Sequence, residues 1–101
     1  MSFQYILLAE AQKDYEDSLL WYLERSEKAA QNFVNAIDNA LKIICSDPKK
    51  CKNKYKNYYE FGIKKYPFTI IFIIDEKQPK VIVHSVYHHK RNPKVKYKRK
   101  V

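Results

Sequence analysis

Glycine is nearly absent from this chain of 101 residues, which contains one glycine and four prolines. A glycine-rich phosphate-binding loop is therefore excluded, and so is a low-complexity chain. Long hydrophobic runs are missing too, since the longest, residues 68–74, has the length of one strand. No run approaches a membrane span, and the first residues do not resemble a signal peptide. We expect a cytoplasmic protein without a membrane partner.

Cysteine occurs twice, at Cys45 and Cys51. In a chain without an export signal, both thiols are expected to be reduced. Cys45 falls on the apolar side of a predicted helix and is assigned to the core. Cys51 lies among lysines, which would lower the pKa of its thiol if the side chain is exposed and make it a candidate oxidation site.

Acidic side chains are scarce in the second half of the chain. Residues 1–47 contain four basic and eight acidic side chains, giving 4 − 8 = −4, and residues 48–101 contain sixteen and three, giving 16 − 3 = +13. The sum is the net charge of +9. This asymmetry favours a polyanionic partner, either nucleic acid or an acidic protein segment. A merely solubilising lysine-rich surface is the alternative.

The length predicts a single domain over residues 1–101. A short strand at residues 3–8 is followed by helical periodicity over residues 9–25 and 27–46. Ser26 is a suitable N-cap for the second helix, and Pro48 ends it. The two helices are expected to form an antiparallel hairpin.

The second half predicts a sheet. Residues 49–57 are interpreted as a basic connection, and strands are predicted at residues 58–65, 68–74 and 80–88. These three form an antiparallel meander to which the N-terminal strand can add. The order β-α-α-β-β-β predicts an α+β domain with the helical hairpin on one face of a mostly antiparallel sheet. Residues 94–101 are interpreted as a solvated, flexible basic tail.

Basic residues stand at the ends of the predicted strands, and the stretch VYHHKRNP of residues 86–93 ends the last one. We expect such ends to converge in a cleft beside the uncovered face of the sheet, nearly without Asp or Glu. A cleft of this kind suits phosphate rather than Mg²⁺. RNA cleavage needs no metal, because the 2′-OH is the nucleophile and histidine, lysine or tyrosine can move protons. We therefore predict no cofactor and no metal.

A zinc site built from His84, His88, His89 and Cys51 is the competing hypothesis. The spacing matches no common ligand pattern, and adjacent strand residues point to opposite faces. Simple alternation places His84 and His88 on the same face. His84 is interpreted as a hydrogen-bonded core or edge histidine.

In its element order, size and basic second half the chain resembles the RelE/ParE superfamily of type II toxin–antitoxin toxins, in the plasmid-stabilisation-like branch. The resembling features are residues 9–22 with their Trp21-Tyr22 pair, residues 33–44 with Pro48, residues 65–70, and Val86-x-His88 with Arg91-Asn92-Pro93. The resemblance implies a basic concave sheet face and a cognate antitoxin that occupies it. RelE-like members cut mRNA in the ribosome, and ParE-like members inhibit DNA gyrase.

The resemblance also implies site residues. Arg91 and Tyr97 reproduce the spacing of an arginine and a tyrosine in RelE-like nucleases, and Lys52, Lys54 and Lys56 occupy a region where those enzymes carry lysines. The arginine of their middle strand has no counterpart here, where Lys64 and Lys65 are nearest. His88 or His89 would supply acid or base, and Lys90 joins the predicted RNA-binding set.

Three functional hypotheses follow. The first is a ribosome-dependent mRNA endonuclease with His88, His89, Arg91 and Tyr97 as catalytic residues. The second is a ParE-like inhibitor of DNA gyrase without nuclease activity, and the third is a non-toxic relative that binds only its antitoxin.

Overall fold

A layer of two helices covers one face of a five-stranded sheet in the computed structural model, which describes residues 3–90. The elements are β1 (Gln4–Leu7), α1 (Ala9–Leu23), α2 (Glu27–Ser46), a 3₁₀ turn (Pro48–Lys50), β2 (Lys52–Tyr55), β3 (Tyr58–Gly62), β4 (Phe68–Asp75) and β5 (Lys80–His88). The predicted α+β class and helical hairpin are confirmed.

The strands lie in the order β1-β5-β4-β3-β2. From β2 to β5 they form an antiparallel meander, and β1 adds beside β5 in the parallel direction, with Gln4 opposite Lys80. The N-terminal strand therefore joins the sheet as predicted. The strand β4 is buried over most of its length because it occupies the centre of the sheet.

The predicted connection at residues 49–57 is wrong, since it contains a 3₁₀ turn and the edge strand β2. The strand pairs with β3, with Lys52 opposite Glu60, and all four of its residues are exposed. Its sequence KNKY has no apolar alternation. Pairing with β3, and not the burial of side chains, therefore gives this segment its strand conformation. Lysines on an exposed edge also discourage pairing with another chain.

The helices begin and end near their predicted boundaries. The Ser26 hydroxyl accepts a hydrogen bond from the Ala29 amide at 2.9 Å and caps α2, as expected. The helix α1 ends at Leu23, two residues before the predicted end, and β3 ends at Gly62 rather than at residue 65. Buried α2 side chains then pack on the sheet, namely Phe33, Ile37, Leu41 and Ile44 against Phe68, Ile70, Phe72, Val81, Val83 and Val86.

The helix α1 also covers the edge of β5 beyond the end of β1. The buried carboxylate of Asp14 accepts hydrogen bonds from the Ser85 hydroxyl and the Val86 amide, both at 3.0 Å. The Val86 amide lies on an edge of β5 that β1 leaves unpaired, and the Asp14 side chain supplies its hydrogen-bond acceptor. This contact fixes the second half of β5, which carries the predicted site residues.

Candidate functional site

A β-bulge in β5 decides which face each histidine occupies. Ile71 pairs with Ser85 and Phe72 with Val83, so His84 is the extra residue on β5. The ring of His84 lies edge-on to Tyr58, whereas that of His88 packs edge-on to the core residue Phe68. The bulge therefore reverses the alternation, and the prediction that His84 and His88 share a face is wrong.

We call the sheet face opposite α1 and α2 the open face. It carries Tyr58, Thr69, His84 and Tyr87, because the paired residues Thr69 and Tyr87 alternate with the core pair Ile70 and Val86. The helices leave this face free, and the sequence places the basic cleft on it, although Thr69, His84 and Tyr87 are themselves buried.

His89 reaches the open face just beyond the end of β5. Its Nε2 lies 2.8 Å from the Thr69 Oγ1, and its backbone amide donates to the Pro67 carbonyl at 2.9 Å. Either the hydroxyl or the ring donates in the first bond, according to the histidine tautomer. The side chain is exposed and yet held in one orientation, which suits an acid or base that must meet its substrate.

A pocket of about 340 Å³ adjoins Thr69 on the open face. Its walls include the basic residues Lys50, Lys52 and Lys54, and Glu60. The predicted lysines at positions 52 and 54 are thus brought to the threonine that holds His89. Ammonium groups at this density attract a phosphate group, and a histidine next to such a phosphate could transfer a proton.

Sequence reasoning missed Glu60. The expectation of a cleft nearly without carboxylates is corrected by Glu60, which faces the pocket with one carboxylate oxygen buried. Its signal was available, since alternation from Tyr58 along YYE places Glu60 on the same face. A carboxylate beside lysines is a second group that can accept a proton.

Cys51 lines the same pocket but is not an activated thiol. The side chain is half-buried, and burial together with the nearby charge of Asp47 raises its pKa above the ordinary value. The lowering by neighbouring lysines was expected only for an exposed thiol, and this condition is not met, because these lysines extend into solvent while the thiol does not. Cys45 is buried in the core, as predicted.

Aromatic rings extend the site along the open face. Tyr55 and Tyr58 stack with their centroids 6.5 Å apart, and the Lys56 ammonium lies 5.3 Å from the Tyr55 ring. Beyond Tyr58 lies His84, with the two centroids 5.1 Å apart. Half-exposed aromatic rings beside lysines are what single-stranded nucleic acids stack upon.

His84 is buried, and its Nε2 has no hydrogen-bond partner among residues 3–90. The expectation of a hydrogen-bonded histidine is therefore wrong for this nitrogen. Burial lowers the pKa of the imidazole, because the protonated form would lose its hydration. His84 consequently stays neutral at neutral pH and supports Tyr58 by packing.

Three of the predicted lysines do not line the open-face pocket. Lys56, in the β2–β3 turn, lines a separate depression beside Asp75 and Glu76. Lys64 and Lys65 follow β3 and line a groove against α2, on the helical side of the sheet. The predicted convergence of all strand-end lysines is thus wrong, because successive turns project to different sides.

His88 and Lys90 line a further cavity, between α1 and the end of the sheet. His88 is therefore not part of the open face, and the two adjacent histidines serve different surfaces. The predicted catalytic residues Arg91 and Tyr97, together with the tail of residues 94–101, lie outside the described residues.

Within residues 3–90, no group of three or more His, Cys, Asp or Glu side chains is arranged to hold a metal ion. The bulge in β5 separates the histidines of the zinc hypothesis. The same residues contain no helix that is both long and apolar enough to cross a membrane.

Comparison with known proteins identifies the family. A family model described as the ParE toxin of the type II toxin–antitoxin system parDE matches residues 5–93. The chain belongs to the ParE toxin family. The resemblance to RelE/ParE toxins is thereby confirmed. No curated protein sequence matches this ParE-family chain.

Two solved structures share the fold of this ParE-family toxin. A chain of a chromosomal ParDE toxin–antitoxin system from P. aeruginosa has a TM-score of 0.65 at 14% identity, covering 85% of this chain and 98% of that one. A chain of the RelBE2 toxin–antitoxin complex from Mycobacterium tuberculosis has a TM-score of 0.61 at 11% identity, covering 87% and 99%. At such identities the similarity establishes the fold alone.

Proposed function

We propose that this ParE-family toxin is a metal-independent, ribosome-dependent mRNA endonuclease whose active surface is the open face. The observation that carries the proposal is the 2.8 Å contact of His89 with Thr69 at the lysine pocket. An imidazole, which can transfer a proton, and ammonium groups, which can hold a phosphate, then lie on the same side of one sheet.

The proposed mechanism assigns roles to lysines and Glu60 of the pocket, to His89 and to the neighbouring tyrosines. Lys52 and Lys54 hold the scissile phosphate and stabilise the negative charge that develops on it. The 2′-OH attacks that phosphate, and its proton passes to Glu60 or His89, while the other group protonates the departing 5′-oxygen. Tyr55 and Tyr58 stack on neighbouring bases. Arg91 and Tyr97 are proposed as additional phosphate and proton-transfer groups.

The proposed partner besides mRNA is a cognate antitoxin. Both structural neighbours come from toxin–antitoxin complexes. An acidic segment would neutralise the lysines of the open face and cover the pocket, which would block access of RNA. Binding to the folded toxin would also stabilise it by mass action.

The test is induction of the chain in a bacterial host, followed by mapping of mRNA 5′ ends. We expect new ends inside translated frames with the wild type, and their loss with His89→Ala and with Lys52→Ala/Lys54→Ala. The double variant Lys28→Ala/Lys42→Ala removes the same charge from α2, away from the pocket, and should leave cleavage unchanged. Arg91→Ala, tested in parallel, is expected to lose cleavage as well.

Growth arrest without new mRNA ends would contradict the nuclease proposal. The second candidate, inhibition of DNA gyrase, is favoured by the family match itself, since ParE-like members of the superfamily act in that way. It predicts a double-strand-break response with intact mRNA and an open face that serves only for binding. Growth unaffected by induction would instead identify a relative that binds only its antitoxin.

A further inference from the structure

A cavity of about 380 Å³ lies between the second half of α1 and the end of the sheet, on the opposite side of the strand end from His89. Its α1 wall is formed by Asp17, Trp21 and Tyr22, and its sheet wall by Phe68 and His88. Half of the eight lining residues are aromatic, and the others include the charged side chains of Asp17 and Lys90. Cavities of this composition are typical of small, flat ligands.

Trp21 is the unusual member, because half of its surface is exposed on a helix. The guanidinium of Arg25 lies 3.4 Å from the centroid of the indole and donates to the Trp21 carbonyl at 2.8 Å. The ring of Tyr22 packs edge-on at 5.0 Å. The indole is therefore held in place before any ligand arrives, which lowers the entropic cost of stacking on it.

The cavity has one acidic and one basic side chain in its walls, Asp17 and Lys90. Asp17 lies one helical turn before Trp21 on the same side of α1, and its exposed carboxylate pairs with the exposed Lys13 at 3.2 Å. Lys90 lies on the opposite wall, and its backbone amide donates to the His88 Nδ1 at 3.0 Å, which fixes that ring. The Asp17 carboxylate can accept hydrogen bonds from a base, and the Lys90 ammonium attracts a phosphate group.

We propose that this cavity binds one base of a single-stranded RNA, with guanine preferred. The Watson–Crick edge of guanine offers two adjacent N–H donors that a carboxylate can accept together, whereas adenine offers one donor beside an acceptor. The base stacks against Trp21, and Asp17 accepts from its edge. Lys90 pairs with the adjoining phosphate.

This inference builds on the proposed function and adds a base preference to it. Consecutive histidines link the two surfaces, since His89 contacts Thr69, which lines the lysine pocket, while His88 lines the cavity. An RNA strand whose phosphate lies at His89 passes the end of β5. The base next to that phosphate can then turn into the cavity. Guanine would therefore be selected at the nucleotide adjacent to the cut.

The chain contains a single tryptophan, so its fluorescence reports on this cavity directly. The experiment titrates the full-length protein with 2′-O-methyl heptanucleotides, which lack the attacking 2′-OH, having guanine, inosine or adenine at the centre of an otherwise all-adenine strand. Dissociation constants are taken from the concentration dependence rather than the amplitude, because free guanine quenches indole by itself. Free GMP is titrated in parallel.

We expect the guanine strand to bind about tenfold more tightly than the adenine strand, as befits one bidentate contact. Inosine, which lacks the 2-amino group, should fall between them. In Asp17→Asn the guanine preference should disappear, while the matched variant Glu16→Gln, which removes an exposed carboxylate from the same helix outside the cavity, should keep it.

Equal affinity for all three strands, or a preference that persists in Asp17→Asn, would overturn the proposal. Binding of GMP as tight as that of the guanine strand would overturn it in favour of a free-nucleotide site. The outcome is separable from the nuclease proposal: mRNA cuts in cells without a guanine preference would refute this inference alone, whereas a preference without cuts would refute the nuclease alone.

Discussion

His84 makes stability depend on pH. The folded protein buries this imidazole and lowers its pKa below the ordinary value near 6.5, whereas the unfolded chain keeps that ordinary value. The unfolded state therefore binds more protons as the pH falls below about 6.5, and the free energy of unfolding decreases with it. Above that pH both states carry a neutral ring and the effect vanishes.

We expect the free energy of unfolding to fall between pH 7.5 and 5.5, by at most about 1.4 kcal/mol per pH unit, the limit for one proton. Urea unfolding followed by tryptophan fluorescence measures it. In His84→Phe, which keeps a ring edge against Tyr58, this fall should be largely absent. His89→Gln, a change at an exposed histidine, should retain it. An unchanged fall in His84→Phe would show that another group is responsible.

The same residues show how far the site could be predicted. His89, Lys52 and Lys54 were identified from composition and resemblance, and the structure brings them to one face. His88 was assigned to the same site, but one extra residue in β5 turns it to the helical side. A bulge leaves no mark in the apolar pattern VIVHSVYH, so alternation alone could not reveal it.

The anchor between α1 and β5 depends on one buried carboxylate. Asp14 accepts from the Ser85 hydroxyl and the Val86 amide, and Asp14→Ala would leave that amide without its acceptor. We expect a loss of about 3 kcal/mol in the free energy of unfolding, because the variant loses hydrogen bonds to a charged acceptor and leaves a buried donor unpaired. Urea denaturation monitored by circular dichroism measures the loss.

Two further variants separate the hydrogen bonds of Asp14 from the mere removal of a carboxylate. Asp14→Asn keeps an acceptor oxygen and should cost less than the alanine variant. Asp17→Ala, an exposed change one turn later on the same helix, should stay within about 0.5 kcal/mol of the wild type. Equal and small costs for Asp14→Ala and Asp17→Ala would show that α1 is held to β5 by apolar packing alone.

Among the secondary-structure elements, those with a local signal were predicted and those without one were missed. Ser26 and Pro48 mark the two ends of α2 in the sequence and in the structure, because a cap and a helix-stopping proline act within a few residues. The strand β2 was missed because nothing within KNKY favours an extended chain. Its conformation comes from pairing with β3, which single-sequence periodicity does not contain.

The whole molecule separates its charges between the two halves of the chain. The helices and β1 belong to the half with a charge of −4, and the remaining strands lie in residues 48–90, which contain ten basic and three acidic side chains, giving 10 − 3 = +7. Repulsion within the basic half grows as the square of its charge, whereas attraction between the halves grows only as the product of the two charges. Repulsion therefore outweighs attraction, and the same excess that attracts a polyanion strains the uncomplexed toxin.

Screening should consequently stabilise this protein. Raising NaCl from 20 to 200 mM shortens the range of charge interactions, and we expect the melting temperature to rise by about 3–6 °C, equivalent to somewhat under 1 kcal/mol for a chain of this size. Thermal unfolding by circular dichroism measures the rise.

Lys64→Gln, which removes one charge from the basic half, should raise the melting temperature at 20 mM and weaken its salt dependence. Lys42→Gln removes one charge from the acidic half and should do neither, since it also removes an attraction. A melting temperature that falls with salt would show that attraction between the halves outweighs repulsion within the basic half. The basic open face would then be stable without the acidic antitoxin segment that we propose covers it.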